Sequence, residues 1–141
     1  MSMPLDNTAT AIFGLVSWTV GLLVIIALMR TGLTLFKGKD ANSFAPSGDD
    51  VSPFSGRLCR AHANCYEFIP FALAILLYAV ATGQSAVTNG LAIILLATRV
   101  GQSLVHLIST SKLAVMARFG FFLPQVIIVL YWSAKFTILK G

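Results

Sequence analysis

Charge is what this chain has least of. Ten Lys and Arg and five Asp and Glu stand among 141 residues, so charged residues make up 11% of the sequence, against about 25% in a soluble domain. With 57% hydrophobic residues and a mean hydropathy of +0.84, the chain has too little polar surface to cover a core in water. Cysteine is equally sparse. Cys59 and Cys65 are the only two; lying six apart on different faces of one apolar segment, they cannot readily bridge each other. No CxxC, no Cys/His cluster and no metal-ligand spacing is present, which leaves no metal site to assign. The positive charges stand beside apolar segments without interleaved aromatics, so nucleic-acid binding is excluded as a function class. Internal repeats, low-complexity tracts, a glycine-rich phosphate loop and a nucleophile elbow are all missing. The first residues lack a basic stretch, and the apolar run behind them is too long for a signal peptide.

What is there is long and apolar. Asn7 to Met29 carries no charged residue, about 34 Å of helix at 1.5 Å per residue, enough to cross a bilayer. The pattern predicts an all-α integral membrane protein with a single domain over residues 1–141: a four-helix bundle with transmembrane helices over about 7–30, 55–82, 86–109 and 115–139. Residues 37–56, rich in Ser and Asp with Pro46 and Pro53, read as an irregular polar loop. The short uncharged turn around Gly83 makes the second and third helices a tight antiparallel hairpin. Pro124 falls inside the fourth helix as a kink, which membrane helices tolerate. Gly14 and Gly21 mark a small-residue packing stripe.

Positive charges set the orientation. Arg30, Lys37, Lys39, Arg57, Arg60, Lys112 and Arg118 cluster at the ends and loops joining helices 1–2 and 3–4. That side is assigned to the cytoplasm and both termini to the other side; Lys135 and Lys140 weigh against this. Tyr131 and Trp132 read as an interfacial aromatic belt.

The chemistry concentrates in Arg57-Leu-Cys-Arg60-Ala-His62-Ala-Asn64-Cys-Tyr-Glu67-Phe-Ile-Pro70. On a helix, Arg57, Arg60, Asn64 and Glu67 fall within an arc of about 80°. Charge inside a bilayer is costly, so such a stripe faces a bundle interior or a water-filled cavity and marks a functional site. Two guanidinium groups and a carboxylate suit a small zwitterion with more negative charge than positive. The competing reading is snorkelling arginines and an intramembrane ion pair that only locks the bundle. Arg99 lies mid-span on the third helix, on one face with Gln102, His106 and Thr110. Glu67 is the only acid within a predicted span, so an ion pair from Glu67 to Arg99 is the leading assignment for its counter-charge. Arg118 shares a face with Gln125; it reads equally as a positive-inside anchor or as a stabiliser of an anion such as a thiolate.

The run Arg57-x-x-Arg60-Ala-x-x-Asn64-x-x-Glu67-x-x-Pro70 resembles the signature of the MAPEG family, membrane-associated proteins in eicosanoid and glutathione metabolism, and the likeness extends over nearly the whole chain. Its Asn-Cys-x-Glu form looks most like the leukotriene C4 synthase branch and its Arg-Ala-His like the prostaglandin E synthase branch. The resemblance implies a homotrimer with glutathione held between neighbouring subunits near the cytoplasmic side. Arg57, Arg60, Asn64, Glu67 and Arg99 match glutathione-binding positions, and Gln102 and His106 stand on the face where many members place tyrosines that touch glutathione. Arg118 is the match to the thiol-activating arginine. The implied function is a glutathione-dependent transferase or peroxidase acting on lipophilic electrophiles, with glutathione as co-substrate and membrane lipid as surroundings. The alternative is a non-catalytic lipid-binding or scaffold protein of the same fold. Short termini without sorting signals suit a bacterial inner membrane.

Overall fold

The computed structural model describes residues 4–138. Four helices run through it: α1 (Asn7–Lys37), α2 (Pro53–Ala81), α3 (Ser85–Ile108) and α4 (Lys112–Thr137). All four are long and apolar enough to cross a membrane. Helix is what such segments must form, because lipid offers no partner to backbone N–H and C=O groups and every one has to be satisfied within the segment.

The helix ends are set by local chemistry. Asp6 accepts from the Ala9 N–H, Ser52 from Ser55 ahead of Pro53, and Ser111 from Ala114; each side chain satisfies a donor that the first turn leaves open. Ser111 therefore starts α4 three residues earlier than the apolar pattern predicts, and Leu139, the expected end of that helix, lies outside the described residues, as does Lys140. The first helix departs further. Arg30 does not close it; two more turns follow to Lys37, and Gly38 ends it with φ 67°, its N–H turned back on the Leu33 carbonyl. A left-handed residue at that position is the usual work of glycine. At 31 residues α1 is about 46 Å long, so one end projects beyond a hydrocarbon layer of about 30 Å.

Packing is organised around α3, which touches α1, α2 and α4, while α2 also packs on α1 and only lightly on α4. Among the described residues α1 and α4 do not meet. The bundle is therefore open on one side, with α1 and α4 on its flanks. Its apolar core runs through Ala11, Leu15, Leu22 and Ile26 of α1, Leu58, Ala61, Ile69, Ala72 and Leu76 of α2, Ala92 and Leu95 of α3, and Ile128 and Trp132 of α4. Gly14 lets α1 approach the Leu96 side chain of α3, whereas Gly21 has no neighbour that a side chain would meet; the small-residue stripe packs at one of its two positions.

The two ends of the bundle differ in character. Where α1 and α3 begin, Thr8 Oγ1 lies 2.6 Å from Thr88 Oγ1 and 2.7 Å from Asn89 Oδ1, an uncharged clamp. The cationic end holds the 38–52 loop folded over the start of α2. Lys39 pairs with Asp50 at 3.3 Å and Arg60 with Asp49 at 3.6 Å. Arg30 Nη2 donates to the Ala45 carbonyl at 3.0 Å. Phe44 lies under the Arg30 and Lys39 cations, 5.5 Å and 5.1 Å from its ring centre. Gly48, buried with φ 72°, sits against Cys59 and Ser55 of α2, where a side chain would collide. The loop is irregular, as its composition predicts, and tied down at several points.

Candidate functional site

The polar stripe of α2 divides in two. Arg57 and Asn64 are half-buried and turned to α3, whereas Arg60 and Glu67 are exposed on the outer surface of the chain. The helical wheel accounts for this: within the arc of about 80°, Arg57 and Asn64 fall at one edge and Arg60 and Glu67 at the other. Arg57 Nε donates to the Leu107 carbonyl at 2.8 Å, one of the last-turn acceptors that α3 cannot satisfy itself, and its guanidinium lies 5.9 Å over Phe54. Arg60 meets Asp49 of the loop.

Arg99 corrects the expected ion pair. It does not meet Glu67; the ion pairs of the described residues are the two involving Lys39 and Arg60. Arg99 Nη1 instead donates to Asn64 Oδ1 at 2.6 Å and to the Asn64 carbonyl at 3.3 Å, with the Phe68 ring 4.8 Å from the guanidinium carbon. Asn64 occupies the α2 edge that faces α3, while Glu67 lies nearly a turn deeper and about 60° away around the helix. Arg99 is 1% exposed, and its Nε and Nη2 have no hydrogen-bond partner among the described residues. Two open donors on a buried cation are costly.

Beside this pair a cleft of about 280 Å³ opens between α2, α3 and α4, lined by Asn64, Gln102, His106, Val115, Arg118, Phe119 and Phe122. Four of the sequence-selected residues thus converge on one cavity. Arg118 Nη1 is 2.9 Å from His106 Nδ1. Gln102 is buried, and its Oε1 accepts from Gln125 Nε2 at 3.0 Å; Gln125 also donates to the Phe121 carbonyl at 2.7 Å, close to the turn that Pro124 interrupts. Gln125 Oε1 is left open. Chemically, the cleft offers a guanidinium, amide donors and acceptors, an imidazole and two aromatic walls. No group of three or more His, Cys, Asp or Glu that could hold a metal occurs among the described residues.

Several contacts carry no signal in the sequence pattern. Cys65 Sγ lies 3.3 Å from Ser103 Oγ, and Ser103 in turn donates to the Arg99 carbonyl at 3.1 Å, so Cys65 belongs to the polar interior. Phe68 beneath Arg99 and Asp49 beside Arg60 were equally silent. The spacing of Arg99 and Ser103, four apart on one face, is the only hint of the first. Both cysteines are free and buried.

Of the residues that the sequence assigns to glutathione, Asn64, Gln102 and His106 line the cleft with Arg118, Arg60 and Glu67 lie on the adjoining outer face, and Arg57 and Arg99 are engaged with the Leu107 carbonyl and with Asn64 instead. The chemistry of the donor set fits a ligand with two carboxylates, one ammonium and a thiol. The cleft of a single chain lies just below the range of about 300–1,000 Å³ typical of small-molecule sites.

The family model described as MAPEG family matches residues 8–136, which takes in the four helices but for one residue at each outer end and every residue of the site, and the chain belongs to that family. No curated protein and no solved structure gives a match.

Proposed function

We propose that this MAPEG-family chain binds glutathione between subunits of a homotrimer and conjugates it to, or uses it to reduce, a lipophilic electrophile drawn from the bilayer. The observation that carries the reading is the convergence of Asn64, Gln102, His106 and Arg118 on one cleft at the cationic end of a membrane bundle. Family membership supports glutathione-related chemistry in a membrane.

The exposed pair supports a site completed by a second copy. Glu67 lies within an apolar span yet faces outward, without an ion-pair partner among the described residues, and an ionised carboxylate does not stand alone against lipid. A ligand ammonium held at the junction with another subunit removes that cost, and the same junction enlarges the cleft. Arg60 takes a carboxylate of glutathione on the outer face, Glu67 takes its ammonium, the amides of Asn64 and Gln102 serve the ligand's remaining polar groups, and the thiol lies at Arg118. A guanidinium keeps its charge in low dielectric and stabilises the thiolate, the form that acts as nucleophile. Attack on an electrophilic carbon then forms the carbon–sulfur bond, while the electron pair of the bond broken there leaves with the displaced group, such as chloride, or moves onto a conjugated acceptor that takes up a proton from water. Val115, Phe119 and Phe122 wall that end of the cleft with apolar surface suited to the second substrate.

The experiment is isothermal titration of detergent-purified protein with glutathione, run beside native mass spectrometry in the same detergent. Binding by a trimer supports the reading. Glutathione binding by a clean monomer overturns the shared site. Lipid retention with no glutathione binding favours the lipid-binding alternative.

A further inference from the structure

We infer that His106 is a positioning residue that acts through Arg118: it holds the guanidinium in the cleft by accepting one of its hydrogen bonds, and the reactivity of the site depends on that acceptor. This rests on the reading that Arg118 stabilises the glutathione thiolate.

The geometry assigns the roles of both groups. A guanidinium has only N–H donors, so in the 2.9 Å contact between Arg118 Nη1 and His106 Nδ1 the imidazole nitrogen must be the acceptor. That requires a neutral ring with its hydrogen on Nε2. None of the residues that line the cleft around the ring is a carboxylate. A carboxylate at this place would neutralise Arg118 and draw it away from a bound anion. A neutral acceptor instead orients the guanidinium and leaves its full charge for the ligand.

The surroundings give Arg118 no other anchor. Nη1 contacts no side chain but His106 among the described residues, and no ion pair involves Arg118. Six positions into α4, its flexible stem would otherwise let the head leave the cleft towards the cationic end of the bundle. His106 lies on α3, and α3 is fixed nearby because Arg57 ties the Leu107 carbonyl to α2. The ring is thus carried by the helix that packs against all three others and fixes one direction of the guanidinium, whose misplacement by about 1 Å is enough to lower a rate.

The test compares His106→Leu with His106→Gln, each also in an Arg118→Ala background. Glutamine keeps a neutral acceptor, and leucine keeps only bulk. His106→Leu should lower kcat with a chloronitroaromatic electrophile about tenfold or more and reduce the ultraviolet thiolate absorbance of bound glutathione. His106→Gln should recover most of both. In the Arg118→Ala background His106→Leu should cost nothing further, because the group it positions is gone. An equal loss in both backgrounds, or a glutamine variant no better than leucine, overturns the inference while leaving glutathione binding intact. Wild-type protein that binds no glutathione by calorimetry overturns the functional reading itself.

Discussion

The burial of Arg99 rests on Asn64, which makes Asn64→Ala the sharpest perturbation of the bundle interior. The substitution removes the 2.6 Å acceptor and leaves Arg99 with only the Asn64 carbonyl at 3.3 Å, beside the two donors already open. A hydrogen bond to a charged group contributes about 1.5–3 kcal/mol net, and stripping a partner from a buried charge reaches about 3–5 kcal/mol. Asn64 is half-buried and one contact survives, so the lower figure applies: a loss of about 2 kcal/mol. The assay is a denaturation series in detergent followed by tryptophan fluorescence, for Asn64→Ala, Arg99→Met and the double variant. Arg99→Met fills the site with a flexible apolar chain and abolishes the open donors, so the double variant should recover much of the loss and the cycle should show a coupling of about 1.5 kcal/mol or more. Asn64→Asp, which offers a carboxylate to the same guanidinium, should be at least as stable as wild type. Additive single effects, with no recovery in the double variant, would refute the claim that this pair shares one electrostatic burden.

The remaining predictions concern the site and its supports. Glu67→Gln should leave the stability of the isolated chain nearly unchanged, since Glu67 has no ion-pair partner among the described residues, but weaken glutathione binding by about 1–3 kcal/mol in calorimetry; unchanged affinity would remove Glu67 from the site. Arg118→Ala should lower turnover by about 10²-fold or more, as loss of one electrostatic stabiliser does, with little change in affinity, and Arg118→Lys should restore part of it; wild-type turnover in both would make Arg118 an anchor only. Arg57→Ala removes the donor to Leu107 and should speed amide exchange at the last turn of α3, at a cost of about 1 kcal/mol.

Much of this architecture was legible in the sequence because the bilayer imposes few alternatives. An uncharged run such as Asn7–Met29 has one outcome in lipid, and the polar breaks between runs place the four helices. The residues around the cleft were legible too: charge and amide groups in apolar segments are rare enough that Asn64, Gln102, His106 and Arg118 stood out, and they do meet. The ends were harder. Arg30 reads as a stop, yet a helix tolerates arginine, and the true terminator is the left-handed Gly38 two turns on. Facing was the least legible. A shared arc of about 80° does not say where its edges fall against a neighbouring helix, so the sequence favours Glu67 as the partner of Arg99 on charge alone, and the placement of α3 gives that role to Asn64 instead. The open flank between α1 and α4 depends on helix placement that no local pattern encodes.

The most direct measurement for the central claim is the difference absorbance spectrum of the detergent-purified protein titrated with glutathione at neutral pH. A free thiol with a pKa near 8.5 is only a few per cent ionised there. Binding at Arg118 should produce a saturable ultraviolet thiolate band, absent in Arg118→Ala although that variant still binds glutathione by calorimetry. Glutathione binding by wild-type protein with no thiolate band, or a band of full strength in Arg118→Ala, would contradict the assignment of this cleft as a thiol-activating site.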